Sequence, residues 1–212
     1  MPLIETIERD GYTIGIWKIS EDTETLAKNL DERLTATEPY SGFKNEKRKK
    51  EWLAVRCLLK KMEGENAAIA YEGEKPYLTG CYKHISITHT KGYAAIATGD
   101  RAIGIGIDIE QKSDRAHKIR NAFMDEQEAD RCEKSDDCHD YATMIWSVKE
   151  AVYKASENGC YDFKTYIHTT AEGIQTNARF TACENCDDKE LHFETEYWNN
   201  EDFILTTALQ TR

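Results

Sequence analysis

Hydrophobic and polar residues alternate most regularly in the stretch GIGIDIE at positions 104–110. Together with Ile103, its isoleucines fall at every second position, which is the period of a β-strand and suits β-branched side chains. The pattern predicts a strand whose isoleucines face a core. Asp108 and Glu110 then lie on the opposite face, about 7 Å apart along the strand. Two carboxylates opposite so apolar a face require an explanation.

A period near 3.6 predicts helices elsewhere in the chain. Apolar residues at this spacing predict one long helix over about 44–62 and another over 141–156. Further helices are expected over about 21–37 and over about 114–134. The apolar positions of the two long helices are Trp52, Val55, Leu59 and Met62 in the first, and Ile145, Val148, Val152 and Ala155 in the second.

The segments between the helices predict strands. The N-terminal segment is expected to form a hairpin with its turn at Asp10-Gly11, and Gly99-Asp100 is expected to form a turn before GIGIDIE. The remaining predicted strands cover about 68–72, 84–90, 93–98, 161–170, 173–180, 190–198 and 202–209.

The element order strand, helix, helix and several strands occurs twice along the chain. The second helices of the two series can also be aligned. WLAVRCLLKK, which starts at Trp52, then lies over WSVKEAVYKA, which starts at Trp146, so that Trp52 matches Trp146 and Lys60 matches Lys154. These two matches predict an internal duplication. The expected fold is α+β, with two similar halves, 1–101 and 102–212, related by pseudo-twofold symmetry. Each half is a small sheet packed with helices, and the active site is expected at their interface.

The bulk composition fits a soluble globular protein of 212 residues, with 40% hydrophobic and 32% charged residues. No apolar run reaches the roughly 18 residues of a membrane span, and the N-terminus lacks a secretory signal pattern. We therefore expect a cytoplasmic protein. The net charge of −11 disfavours a general nucleic-acid binder, which needs a basic surface. The basic run KNEKRKK at 44–50 is either a solvated helix face or a phosphate-binding patch.

The seven cysteines lack the spacing of a disulfide framework, so we expect reduced thiols. Cys183 and Cys186 form a lone C-x-x-C pair. A tetrahedral zinc site needs four ligands with compatible spacing. A polar turn at ACENCDDKE is therefore the favoured interpretation, and a zinc-stabilised interaction module is an alternative.

Glu150 and Lys154 are four residues apart on a predicted helix, on the same side as Trp146. Taken alone, such a pair is most often a surface salt bridge that contributes little. Combined with Asp108 and Glu110, however, Glu150 completes a set of three carboxylates, which repel one another unless a cation lies among them. Hard oxygen ligands suit Mg²⁺, which also binds substrate phosphates.

GIGIDIE, followed about 35 residues later by WSVKEAVYK, resembles the paired signature of the 4′-phosphopantetheinyl transferases. The signature is (I/V)-G-(I/V)-D-x-E and then W-(S/T/C)-x-K-E-(A/S)-x-x-K, and both parts match without a gap. The chain is similar to the larger, duplicated type that activates peptide and polyketide synthases, which implies a monomer, rather than to the short trimeric holo-acyl-carrier-protein synthases. Weaker matches are KRKKEWLAVR (47–56), EKPYL (74–78), ISITHT (85–90) and FMDEQE (123–128).

The resemblance implies a reaction in which coenzyme A binds between the halves. A serine hydroxyl of an apo acyl or peptidyl carrier protein attacks the β-phosphorus of its pyrophosphate, phosphopantetheine is transferred and adenosine 3′,5′-bisphosphate leaves. Asp108, Glu110 and Glu150 are implied to hold Mg²⁺, with Glu150 also the base for the serine proton and Lys154 stabilising the leaving phosphate. The residues implied to contact coenzyme A are Arg48, Arg56, Lys75, Thr88, His89, Lys149 and Lys154.

The sequence departs from the family pattern at three places. Glu74 replaces the usual glycine before the lysine of the G-K-P segment. Thr88 and Thr90 replace serines but keep the hydroxyl groups. The first predicted helix, EDTETLAKNLDERL, is acidic where some relatives place lysines for the 3′-phosphate of the nucleotide. That contact therefore either moves to 44–50 or is weaker.

Several alternatives stay open at this point. Either Lys47 or Arg48 occupies the position of the family's first arginine. His89 either contacts the nucleotide or is a hydrogen-bonded histidine of the core. The competing function is a catalytically inactive protein that binds coenzyme A or a carrier, although such a protein has no need for three metal carboxylates. For carrier docking we expect a local patch around Phe123 and Met124.

Overall fold

The computed structural model describes residues 3–36, 39–100, 104–156, 158–173, 178–186 and 189–211. The fold is mixed α+β, and the chain divides into two compact units, Met1–Asp100 and Arg101–Arg212. Ile103, the first isoleucine of the predicted strand, lies outside the described residues. Within the described ranges, no helix is long and apolar enough to cross a membrane.

The first unit consists of an antiparallel sheet, a separate hairpin and one long helix. The sheet has the strand order β1-β2-β6-β5, and β3 pairs with β4 in the hairpin. The long helix α3 packs against β2 and β6. The elements are β1 (Leu3–Arg9), β2 (Tyr12–Lys18), α1 (Thr23–Ala27), α2 (Glu32–Ala36), α3 (Glu46–Glu63), β3 (Ala68–Glu72), β4 (Lys75–Thr79), β5 (Lys83–Thr90) and β6 (Tyr93–Asp100).

The second unit consists of an antiparallel five-stranded sheet with the strand order β7-β11-β10-β9-β8 and a long helix, α6, packed on β7 and β11. A 3₁₀ turn, Arg120–Ala122, follows α4. The elements are β7 (Ile105–Gln111), α4 (Arg115–Ile119), α5 (Glu126–Lys134), α6 (Cys138–Ala155), α7 (Phe163–Tyr166), β8 (Ile167–Thr169), β9 (Arg179–Cys186), β10 (Lys189–Asn199) and β11 (Phe203–Gln210).

The two sheets share a pattern of strand pairing. In the first unit β2 pairs with the last strand, β6, which pairs with β5, and in the second unit β7 pairs with the last strand, β11, which pairs with β10. Each long helix also packs where a strand carries glycine between two isoleucines. A Cβ atom on Gly15 of β2 would collide with Met62 and Leu58 of α3, and one on Gly106 of β7 would collide with the carbonyl oxygen of Ala151 in α6.

The N-terminal hairpin and both long helices confirm the sequence predictions, but two predicted helices are interrupted. The stretch 21–37 contains α1 and α2, because the Asn29 and Asp31 side chains bond to nearby backbone groups and compete with a continuous helix. The stretch 114–134 is divided because Asp125 caps a new helix, α5. The turn predicted at 99–100 is wrong, since β6 continues through Asp100.

The predicted strands at 161–170 and 173–180 were also placed inaccurately. The first contains the short helix α7 before β8, and the second overlaps β9 only from Arg179. The strand β4 was not predicted at all, because Lys75-Pro76 interrupts any clear alternation.

The cysteines contradict the expectation of reduced thiols. Cys132 is bonded to Cys138, at the junction of α5 and α6, and Cys160 is bonded to Cys186 of β9. Cys183 is a free thiol on β9, so most of ACENC is strand rather than polar turn. Because Cys186 is already bonded to Cys160, the C-x-x-C pair is not available as two zinc ligands.

Glycine on β7 sets how closely α6 approaches the strand. We expect Gly106→Ala to destabilise the protein by about 1–3 kcal/mol, the typical cost of overpacking, because its Cβ would displace Ala151 and the helix with it. Urea unfolding measures the change. Gly173→Ala is the matched control, since its Cβ would meet no atom of the described residues within 4 Å, and we expect less than about 0.5 kcal/mol from it. Equal stabilities for the two variants would contradict the close contact.

Candidate active site

The polar face of β7 and one side of α6 meet in the second unit. Trp146 donates its indole N–H to Glu110 Oε1 at 2.9 Å, and Lys154 Nζ lies 2.7 Å from Asp108 Oδ1. The same ammonium group donates to the carbonyl oxygen of Ile107 at 3.1 Å. This side of α6 therefore lies against the carboxylate face of β7.

The opposite side of α6 anchors the helix in the core. Ile145, Val148 and Val152 are completely buried in the hydrophobic cluster of the second unit. On β7, Ile105, Ile107 and Ile109 are also buried, as the alternation predicted. The carboxylate face of β7 also takes part in packing, since Gly106 lies directly against Ala151 of α6.

Burial raises the pKa of both glutamates of the carboxylate set, Glu110 and Glu150. Loss of solvent raises the pKa of Glu110 to about 7, and the negative charge of Asp108 contributes in the same direction. Burial also raises the pKa of Glu150, where Lys154 opposes the shift and Asp108 adds to it. Asp108 therefore interacts electrostatically with both glutamates. A further positive charge at this place would stabilise all three ionised groups.

The donor set suits Mg²⁺ by its chemistry, because carboxylate oxygens are the ligands that this ion prefers. The site is not pre-assembled, however. Among the residues that the structure describes, no three His, Cys, Asp or Glu side chains are grouped closely enough to hold a metal ion. Lys154 instead neutralises Asp108. Asp108, Glu110 and Glu150 are thus a fitting but unassembled set of ligands.

The raised pKa of Glu110 predicts a pH dependence of stability in metal-free protein. Because the folded state holds this proton up to about pH 7 and the unfolded state loses it near 4.3, stability should fall as pH rises between these values, by about 1–3 kcal/mol. Urea unfolding in EDTA from pH 5 to 8 measures this loss. Glu110→Gln should reduce the slope, and an unchanged slope in that variant would contradict the assignment. The raised pKa of Glu150 contributes a residual slope of the same sign.

Lys149 does not lie where a ligand could contact it, contrary to the expected contact with coenzyme A. Its side chain is fully buried, and Nζ lies 2.6 Å from Glu128 Oε2. The ammonium group also donates to the carbonyl oxygens of Phe123 and Phe163, at 2.7 and 3.1 Å. These three acceptors match its three protons. Lys149 therefore fixes α6 to two neighbouring segments instead of facing a substrate.

The proposed docking patch around Phe123 and Met124 is wrong. These side chains are only 2% and 1% exposed and belong to the core of the second unit. Both residues lie inside the helix predicted over 114–134, but the structure places them between the 3₁₀ turn and α5, with their side chains in the core. A cavity beside the Glu110–Trp146 contact is also lined by Arg115, and Glu110 is the member of the carboxylate set that lines it.

In the first unit the structure brings Arg48 and His89 together. Arg48 Nη1 lies 3.2 Å from His89 Nε2, whereas Lys47 lies against Glu51 instead. This placement favours Arg48 over Lys47 for the family's first arginine position. Thr88 is buried and, as the neighbour of His89 in β5, points to the opposite face of the sheet.

The other two predicted contacts of the first unit are separate from this pair. Arg56 is buried with its guanidinium group 3.3 Å from the centre of the Trp52 ring, and it donates to the Trp52 carbonyl oxygen. Burial lowers the pKa of Arg56 to about 10. Lys75 is exposed at the start of β4. The buried carboxylate of Glu51, which carries no sequence motif, was missed.

No curated protein sequence matches this chain. A family model does match, over residues 104–208, and those residues include β7, α6 and the carboxylates of Asp108, Glu110 and Glu150. The part of the chain that carries the site therefore matches the 4′-phosphopantetheinyl transferase superfamily.

Proposed function

We propose that this protein transfers the 4′-phosphopantetheine group of coenzyme A to a serine of an apo acyl or peptidyl carrier protein. Adenosine 3′,5′-bisphosphate is the second product. The observation that carries the proposal is the contact between β7 and α6, which places Asp108 beside Lys154 and Glu110 beside Trp146. This contact lies within the residues that match the superfamily.

Glu150 is the proposed general base. Its half-buried carboxylate lies on α6 within the field of Lys154 and Asp108, and a carboxylate held within reach of the serine can accept its proton in the transition state. It would take the proton of the carrier serine as the serine oxygen attacks the β-phosphorus of coenzyme A. The bond from that phosphorus to the bridging oxygen breaks, and the electron pair leaves with adenosine 3′,5′-bisphosphate.

Lys154 is the proposed stabiliser of the leaving phosphate. Its side chain is about one quarter exposed, so an anionic substrate can approach it while Asp108 holds the ammonium group in place. Asp108, Glu110 and Glu150 would hold Mg²⁺, which when bound would neutralise charge on the pyrophosphate.

For the first unit, we propose that Arg48, His89 and Lys75 bind the nucleotide end of coenzyme A, including its 3′-phosphate. The support is the contact between Arg48 and His89 within the stretches that resemble the family. We also propose that the chain is of the duplicated type, with pseudo-twofold symmetry. The same strand pairing in both sheets, together with the glycine contacts of the two long helices, supports this.

The test is the release of adenosine 3′,5′-bisphosphate from coenzyme A, followed by chromatography. We expect release that requires both Mg²⁺ and an apo carrier, and none with a carrier whose acceptor serine is replaced by alanine. Asp108→Ala should abolish release while the protein stays folded. Full release by this variant, or in excess EDTA, would contradict the assignment of the metal ligands.

A further inference from the structure

The first unit buries a carboxylate that the proposed chemistry does not use. Glu51 lies on α3 and is only 6% exposed. Its Oε2 atom lies 3.6 Å from His89 Nδ1, and its Oε1 atom lies 3.5 Å from Lys47 Nζ. Within the described parts of the chain, Oε1 accepts no hydrogen bond. A buried carboxylate with so few direct contacts costs free energy, so its presence under His89 calls for an explanation.

The contact between Arg48 and His89 determines which nitrogen of the imidazole carries its proton. A guanidinium group has donors only, so at 3.2 Å Arg48 donates and His89 Nε2 accepts. In the neutral ring the proton is therefore on Nδ1, on the side of Glu51. Glu51 and Arg48 thus face opposite nitrogens of one ring.

We propose that Glu51 is a positioning residue for an anion site formed by Arg48 and His89, and that the anion is the 3′-phosphate of coenzyme A. The inference rests on the function proposed above. A phosphate accepts hydrogen bonds, so it would draw Arg48 away from His89. Nε2 can then donate to the phosphate, while Nδ1 keeps its proton toward Glu51, only if the ring takes up a second proton from solvent. The Glu51 carboxylate under Nδ1 orients that imidazolium and stabilises its charge.

Two simpler roles for Glu51 give different expectations. If Glu51 acted only as a negative charge near an anion, its removal would strengthen binding. If it only supported the packing of α3, its removal would affect all ligands alike. Positioning of His89 instead predicts weaker binding that depends on the 3′-phosphate and on His89 itself.

The experiment compares the dissociation constants of coenzyme A and 3′-dephospho-coenzyme A by calorimetry, without a carrier. We expect Glu51→Gln to weaken coenzyme A binding about tenfold and to leave 3′-dephospho-coenzyme A unchanged. In a His89→Ala background, Glu51→Gln should have no further effect, because the two changes act through one contact. Glu46→Gln is the matched control. It lies on the same helix, is exposed and pairs with Lys49, and it should leave both constants unchanged.

Glu51→Asp is a second variant in case the glutamine variant does not fold. It keeps the charge but withdraws it from His89, so we expect the same selective loss. Equal or tighter binding of coenzyme A by folded Glu51 variants would overturn the inference, as would equal weakening of both ligands. A wild-type protein that transfers phosphopantetheine but does not prefer coenzyme A over 3′-dephospho-coenzyme A would overturn the anion site alone. A wild-type protein that binds neither ligand would overturn the proposed function as well.

Discussion

Glu150→Gln should lower kcat for phosphopantetheine transfer at least ~10²-fold, the scale of a general-base contribution. Glutamine keeps the size of the side chain but removes both the proton acceptor and one negative charge of the metal set. Because the groups proposed to bind the nucleotide lie on other residues, the variant should still bind coenzyme A. Steady-state kinetics with an apo carrier, together with calorimetry for coenzyme A, measures both effects.

Glu133→Gln is the matched control for this variant. Glu133 is exposed on α5, so the same chemical change there should leave kcat within the error of measurement. If Glu150→Gln transferred phosphopantetheine at nearly the wild-type rate, Glu150 and Lys154 would be an ordinary helix pair. The carboxylates of β7 would then need a different explanation.

Lys149→Met should destabilise the protein by about 3–5 kcal/mol, the usual cost of leaving one partner of a buried ion pair uncompensated. Both side chains of the pair with Glu128 are fully buried. Glu128 also accepts a hydrogen bond from the backbone N–H of Asp125 and so caps α5. Without Lys149, the unpaired negative charge of Glu128 would lie at the helix end that this hydrogen bond stabilises. Urea unfolding at neutral pH measures the loss.

Two further variants distinguish the buried ion pair of Lys149 and Glu128 from an ordinary surface ion pair. Lys134→Met removes a partner of Asp130 in an exposed pair and should cost less than about 1 kcal/mol. Glu128→Gln combined with Lys149→Met should cost less than the sum of the single changes, because the second change removes the unpaired charge. A loss below about 1 kcal/mol in Lys149→Met alone would contradict a structural role for the pair.

Features set by short-range patterns were predictable from the sequence. The alternation in GIGIDIE predicted that the isoleucines of β7 are buried on one face and its carboxylates lie on the other. The spacing in WSVKEAVYK placed Trp146 on the side of α6 that meets the carboxylate face. The glycines of GIGIDIE were recognised only as small residues. These glycines allow α6 to approach β7 closely. Strand periodicity does not show which element packs against the strand, so this role could not be predicted from it.

Features that join distant segments were not predictable in the same way. Lys149 and Glu128 are 21 positions apart on different helices. The family motif alone therefore suggested that Lys149, like Lys154, contacts coenzyme A. Asp125 and Asp31 interrupt predicted helices through local capping bonds that apolar periodicity does not include. Glu51 meets His89 only because α3 packs near β5, and no spacing rule relates these positions.

The most direct test of the proposed function is intact-mass spectrometry of an apo carrier protein incubated with this protein, coenzyme A and Mg²⁺. We expect the carrier to gain the mass of one phosphopantetheine group, at its acceptor serine, and Asp108→Ala and Glu150→Gln proteins to leave its mass unchanged over the same interval. An unmodified carrier with wild-type protein that is folded and binds coenzyme A would contradict the proposed transferase activity and would identify a binding protein.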